Sequence, residues 1–237
     1  YSDTSTGLSA TLQKFANALQ GVANSPSSMA ARQVLMSEAN ALAAQVGDYG
    51  SRLEQLANEV NQRVVAATGD VNSLATAIAD LNEKIVVATG RSGGQPPNDL
   101  LDQRDLLLDQ LSAKVAVSTI KQDDGSLNVF VGTGQPLVLG TQAAQLQTQP
   151  DPFDTSRIQV AVRTPAGPVD ITGSLTGGEL GGLLEFRSDM LDYARNALGQ
   201  LAVGIAGLGI VYANLAEPPQ KTAVYFFHAI GGGALLY

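Results

Sequence analysis

The 237-residue chain carries a net charge of -8, with 22 acidic against 14 basic residues, and has neither cysteine nor tryptophan. Its scattered Lys and Arg do not form the clusters that a nucleic-acid backbone or an anionic membrane surface requires. The lack of Cys excludes disulfides, thiolate metal sites and cysteine nucleophiles. Aromatic residues make up 5% of the chain, which suits helix seams of Ala, Leu and Val better than a bulky α/β core.

From Gly7 to about Val22, the residues Leu8, Leu12, Phe15, Leu19 and Val22 recur at helical spacing and predict an amphipathic helix. Pro26 pushes the residue before it out of helical geometry and ends that helix. Ser27 or Ser28 caps a second one. Its stripe runs Val46, Tyr49, Leu53, Leu56, Val60, Val64, Ala67, Val71, Leu74, Ile78, Leu81, Ile85 and Ala88, close to the coiled-coil period. An uninterrupted helix of roughly sixty residues would be near 90 Å long. Gly47, Gly50 and Gly69 each weaken it by about 1 kcal/mol and mark the places for bends or breaks.

Glycines and prolines between Thr89 and Pro97 predict a loop. A third helix covers Asn98 to Ser112, with Leu100, Leu101, Leu107, Leu108 and Leu111 as its buried face. The period then changes to alternation. Val115, Val117 and Thr119 lead to a hairpin turn at Asp124-Gly125, and Leu127, Val129 and Val131 form the return strand. Pro136 to Leu139 makes a further short strand. Another hairpin is centred on Pro165-Ala166-Gly167, flanked by Ile158–Val162 and Val169–Ile171. Helix resumes near Gly178, with Leu180, Leu183, Leu184, Leu191, Ala194, Leu198 and Leu201 on its apolar face, and runs to about Ala216.

The expected fold is mainly α: an elongated helical bundle with long coiled-coil-like helices and a small inserted β subdomain. Residues 1–114 form the long-helix bundle, 115–174 the β subdomain and 175–216 the returning helix, while the tail 217–237 is unassigned. No run of about 18 apolar residues suggests a membrane-spanning helix. Because the chain opens on Tyr1 rather than Met, its natural N-terminus is expected upstream.

Candidates for chemistry are few. Asp102, Asp105 and Asp109 share one helical face, as do Glu185, Asp189 and Asp192. Carboxylates so spaced suit metal binding or acid–base work, but they equally make solvated faces, the first set opposite the leucines with Arg104 beside it. Gly132-Thr133-Gly134 and Gly177 to Gly182 resemble phosphate loops only in their glycines. Neither continues into Lys-Ser or Lys-Thr, nor has dinucleotide-fingerprint spacing, so both read as a turn and a helix entry. The lone histidine, His228, cannot supply a two-His metal site and gives a hydroxyl nucleophile no credible base. No catalytic, cofactor or metal residue is assigned, and the reading is of a non-enzyme.

Four motifs in order carry a resemblance. The string Asn98-Asp99-Leu100-Leu101-Asp102-Gln103-Arg104-Asp105 follows a helix ending Ile78-Ala79-Asp80-Leu81-Asn82-Glu83-Lys84-Ile85. Downstream come the segment from Asn128-Val129-Phe130-Val131 to Val138, and then Gly178-Glu179-Leu180-Gly181-Gly182 through Arg187 into Leu191–Leu198. Over residues 1 to 208 the chain resembles the flagellar hook-associated protein 1 family. The resemblance implies a structural, exported, extracellular component of the bacterial flagellum that joins hook to filament by self-assembly. Its implied partners are hook protein, the second junction protein, copies of itself and an export chaperone. It also implies terminal coiled-coil segments outside this chain and no cofactor. The tail after Ile210 departs from the family pattern. Flagellin or the second junction protein shares the helical plan, and a phage-tail or adhesin stalk is the alternative from another class.

Overall fold

A computed structural model describes residues 7–91, 95 and 97–215, with side chains described as far as Gly207. The tail 217–237, and His228 within it, lies outside the described residues. The first helix, α1, spans Leu8–Asn24. The chain turns at Ser25-Pro26, where Arg32 donates two hydrogen bonds to the Pro26 carbonyl at 2.9 and 2.6 Å. The Ser28 hydroxyl accepts the Ala31 N–H at 3.2 Å, capping α2 as its residue type predicts. Helix α2 is a single element, Met29–Arg91, of 63 residues. Gly47, Gly50 and Gly69 sit inside it without a break, and it continues past Thr89, where a loop is expected.

The third helix, α3, spans Asn98–Lys114. A four-stranded antiparallel sheet follows, made by β1 (Val117–Lys121), β2 (Leu127–Val131), β3 (Gln135–Leu139) and β4 (Gln142–Ala143) in that order. A second, three-stranded sheet contains β5 (Leu146–Pro150), β6 (Ile158–Thr164) and β7 (Gly167–Asp170). The hairpins expected at Asp124-Gly125 and Pro165-Ala166 are present, pairing Lys121 with Leu127 and Thr164 with Gly167. Strands β4 and β5 escape sequence reading, because Gln142–Ala143 is too short and three of the five residues of Leu146–Pro150 are glutamine or threonine. A short 3-10 turn, Thr172–Ser174, leads to α4 (Gly178–Glu185). The returning helix is not uniform: Phe186–Leu191 is a π-helical turn before α5 (Asp192–Leu215).

The chain divides into two compact units, one of residues up to Gln55 and from Asp192, the other of Leu56–Leu191. In the first, Phe15 of α1 is buried with Ala39 and Leu42 of α2 and Ile205 of α5. In the second, α2 is the spine. Val60, Val64, Ala67, Val71 and Ile78 are buried against β2, β3, β5, β6 and α4 in one continuous core. Each such Val, Leu or Ile contributes about 1.5–3 kcal/mol through removal from water. The α3 face departs from expectation: only Leu111 is fully buried among its leucines, Leu107 and Leu108 being partly covered and Leu106 exposed. The buried partner of Leu111 on α3 is Arg104.

The two glycine-rich stretches are places of close backbone approach. Gly132, at φ 57°, begins the β2–β3 turn, and a Cβ there would fall on the carbonyl of Ser174. Gly178, at φ 59°, lies against the backbone of Lys114 and Val115, and Gly181 against that of Thr176. Contact excludes a side chain at all three positions, and at Gly132 and Gly178 the backbone conformation does so as well. Gly132→Ala is expected to lower stability by about 2–3 kcal/mol. Gly69→Ala, where a Cβ meets nothing on an exposed turn of α2, is expected to raise it by up to about 1 kcal/mol. Urea unfolding of the two variants reads both signs.

Candidate functional site

Three asparagines on α2 hold the strands. Asn61 donates to the Ser156 carbonyl at 2.7 Å and accepts the Ile158 N–H at 3.3 Å. Asn72 donates to the Leu146 carbonyl and accepts the N–H of the same residue, both at 2.8 Å. Asn82 donates to the carbonyls of Leu127 and Gly140 at 2.8 and 2.6 Å and accepts the Leu127 N–H at 3.1 Å. A carboxamide presents a donor and an acceptor side by side, as a neighbouring strand does, so each Asn pairs with backbone where a strand begins. Asn61, Asn72 and Asn82 thereby set the starts of β6, β5 and β2 along one helix.

Asn82 is the deepest of the three and fully enclosed. Its remaining lone pair accepts Arg104 Nη1 of α3 at 3.1 Å, and the same Nη1 donates to the Gly125 carbonyl at 2.9 Å. The amide thus uses both donors and both acceptor sites. Arg104 is 4% exposed and hydrogen-bonds only to neutral oxygens. Burial pulls its pKa below the ordinary arginine value, opposed by the charge of Asp105. The guanidinium stays protonated nonetheless. This corrects the expectation that Arg104 lies on a solvated face: it joins α2, α3 and the β1–β2 turn from inside. A signal was available, since Asn61, Asn72 and Asn82 each follow a stripe residue directly, in Val60-Asn61, Val71-Asn72 and Leu81-Asn82.

A second polar cluster lies nearer the surface. Lys114 at the end of α3 pairs with Asp70 of α2 at 2.9 Å and with Glu179 of α4 at 2.8 Å. Arg63 reaches Glu179 at 3.5 Å. The Lys114 hydrogen bond holds the Glu179 pKa below its ordinary value despite some desolvation. Glu179 and Asp70 together raise that of Lys114. The cluster joins three helices at one corner of the second unit.

The carboxylates weighed in the sequence do not converge. Asp102, Asp105 and Asp109 are exposed along α3, and Glu185 and Asp189 are exposed beyond the core of α4. Among the described residues no group of three His, Cys, Asp or Glu side chains is placed to hold a metal ion. Gly132-Thr133-Gly134 forms the β2–β3 turn, with the Thr133 N–H donated to the Ser174 carbonyl at 2.9 Å, and Gly177-Gly178 opens α4. No helix among the described residues is long and apolar enough to cross a membrane.

The family model for the flagellar hook-associated protein FlgK helical domain matches residues 1–208. The chain belongs to this FlgK family. Flagellar hook-associated protein 1 of Salmonella typhimurium is 40% identical over 206 residues, covering 86% of this chain and 37% of that protein. The Escherichia coli K12 protein of the same name is 38% identical over 237 residues, covering 99% of this chain and 43% of that one. The solved structure of the flagellar hook junction protein FlgK from Burkholderia pseudomallei superposes with a TM-score of 0.77 at 37% identity, over 86% of this chain and 37% of that one. The chain therefore spans about two fifths of the length of these FlgK relatives. The mainly helical fold with a long helix and a small β subdomain, expected from periodicity, is that of the FlgK family.

Two outcomes test the polar framework. Asn82→Ala strands a buried guanidinium and three backbone groups, and is expected to cost about 3–5 kcal/mol. Arg104→Met removes the charge together with its contacts and is expected to cost less, about 1–3 kcal/mol. In a double-mutant cycle the combined loss falls short of the sum. The Glu179 cluster gives a pH signature. A depressed carboxylate pKa contributes stability above its ordinary value of 4.5 that is lost as pH falls through the lower folded value. The stability difference between the parent and Glu179→Gln is thus expected at neutral pH and vanishes in acid, as urea midpoints across that range read directly.

Proposed function

We propose that the chain is the helical-domain part of a junction subunit that links hook to filament in the bacterial flagellum. The observation that carries this reading is the FlgK helical-domain match over residues 1–208, supported by the likeness to the Burkholderia flagellar hook junction protein. The subunit acts by packing rather than by catalysis. The buried polar side chains of Asn82 and Arg104 are spent on the fold itself, and no residue is assigned to catalysis, a cofactor or a metal. Its neighbours in this reading are hook protein, the second junction protein and further copies of itself, reached after export by the flagellar secretion system with the help of a chaperone. The β subdomain, residues 115–174, faces away from the axis in that assembly.

Labelling with antibodies against residues 7–215 on isolated flagella tests the reading. A narrow band at the junction of hook and filament is expected, and deletion of the gene is expected to leave hooks without filaments. Label spread along the filament would place the chain with the flagellins instead.

A further inference from the structure

The two sheets end on four edge strands, β1, β4, β5 and β7, and three of these are closed to further pairing. β4 has only two residues. On β5, the Gln145 carbonyl accepts the Arg163 N–H and the Asp151 N–H is donated to Arg157, so Leu146, Thr148 and Pro150 turn away from β6. Asn72 already binds both backbone groups of Leu146, and Pro150 has no N–H to offer. On β7, the Ile171 N–H is donated to the Val160 carbonyl, which turns Pro168 and Asp170 outward. Proline again removes the donor.

β1 is different. The Gly132 N–H is donated to the Ala116 carbonyl, and the Gln122 N–H to that of Ser126. By alternation the backbone groups of Ser118 and Ile120 face β2, and those of Val117, Thr119 and Lys121 face outward. Among the described residues nothing hydrogen-bonds to these three outward sets of groups. The side chains from Ser118 to Lys121 are all exposed.

We infer that the outer edge of β1 pairs with the same edge of a second copy of the chain, antiparallel about Thr119. In that register Thr119 faces Thr119 of the second copy and Val117 faces its Lys121. All three outward residues then exchange hydrogen bonds, and the two lysines stand at opposite ends of the pair. Centring on Lys121 would set like charges against each other, and any other centre leaves outward groups unpaired. Ile120, 56% exposed, comes beside Ser118 of the second copy and diagonal to its Ile120, within reach of an apolar contact. The edge thus complements itself in backbone, charge and apolar surface, which is what selects a copy of the chain as its partner. Strands of five residues cover less than the roughly 1,200 Å2 of a standard interface, so the pair is weak and forms in concentrated solution. A two-fold contact closes on itself; the pairing belongs to the free chain and is independent of the junction reading.

The chain has no cysteine, so one introduced thiol reports the contact. The Cα atoms of a hydrogen-bonded antiparallel pair are about 5.5 Å apart, within disulfide range. Mild oxidation of the concentrated 237-residue chain carrying Thr119→Cys is expected to give a disulfide-linked dimer. Asp170→Cys on the closed β7 edge should give about a tenth as much or less. Because position 119 faces itself, Thr119→Lys and Thr119→Glu should each raise the dimer dissociation constant by about fivefold, and mixing the two should restore association. Sedimentation equilibrium reads both, with melting temperatures as the control for folding. If a charged variant fails to fold, crosslinking at 119 against 170 still decides. Equal crosslinking at the two positions, a monomer at every concentration, or a dimer that folded Thr119→Lys leaves unchanged would overturn the inference.

Discussion

A buried guanidinium with only neutral oxygens for partners is the constraint on which the second unit depends. Arg104 is held by the Asn82 side chain and the Gly125 carbonyl, and Asn82 in turn holds the start of β2 and the carbonyl of Gly140. Leaving any of these groups unpaired inside the protein costs more than the bond itself contributes. Only one relative placing of α2, α3 and the first sheet satisfies them together. Valines and leucines supply most of the stabilisation, but they pack in many registers; the amide does not.

The same device repeats at lower stakes along α2. Asn72 and Asn61 fix the starts of β5 and β6, so one helix sets the register of strands from two separate sheets. Such short strands would make poor isolated sheets. Laid against a helix that offers both an apolar stripe and ready-made backbone-like partners, they need no further cover on that side. Glycine completes the arrangement where two backbones nearly touch, at Gly132 against Ser174 and at Gly178 against Lys114.

Polar chemistry in this domain is therefore directed inward, to the fold, or spread thinly outward. The described carboxylates of α3 stand apart on a solvated helix face, and the Lys114 cluster is satisfied by its own counter-charges. What remains outside these clusters is exposed helix surface and the exposed ring of Phe153 on a loop tied down by Asp151.

Periodicity alone determined the helices, because a stripe such as Val60, Val64, Ala67, Val71 and Ile78 can be buried on one side only in a helix. Alternation and turn residues likewise determined the two hairpins at Asp124-Gly125 and Pro165-Gly167. The motif Asn98 to Asp105 marked the family before its purpose was visible. Tertiary structure decided the rest. Arg104 reads as a surface charge from its acidic neighbours, and only the arrival of Asn82 and Gly125 from elsewhere in the chain makes its burial tolerable. Strands β4 and β5 exist because their partners do, since Gln142–Ala143 and Leu146–Pro150 have too little apolar pattern of their own. The π turn at Phe186–Leu191, where Arg187 bonds the Ile158 carbonyl of β6 at 2.7 Å, is likewise absent from local sequence signals. Local spacing encodes which face of an element is apolar; which polar group meets which backbone is settled only when distant segments come together.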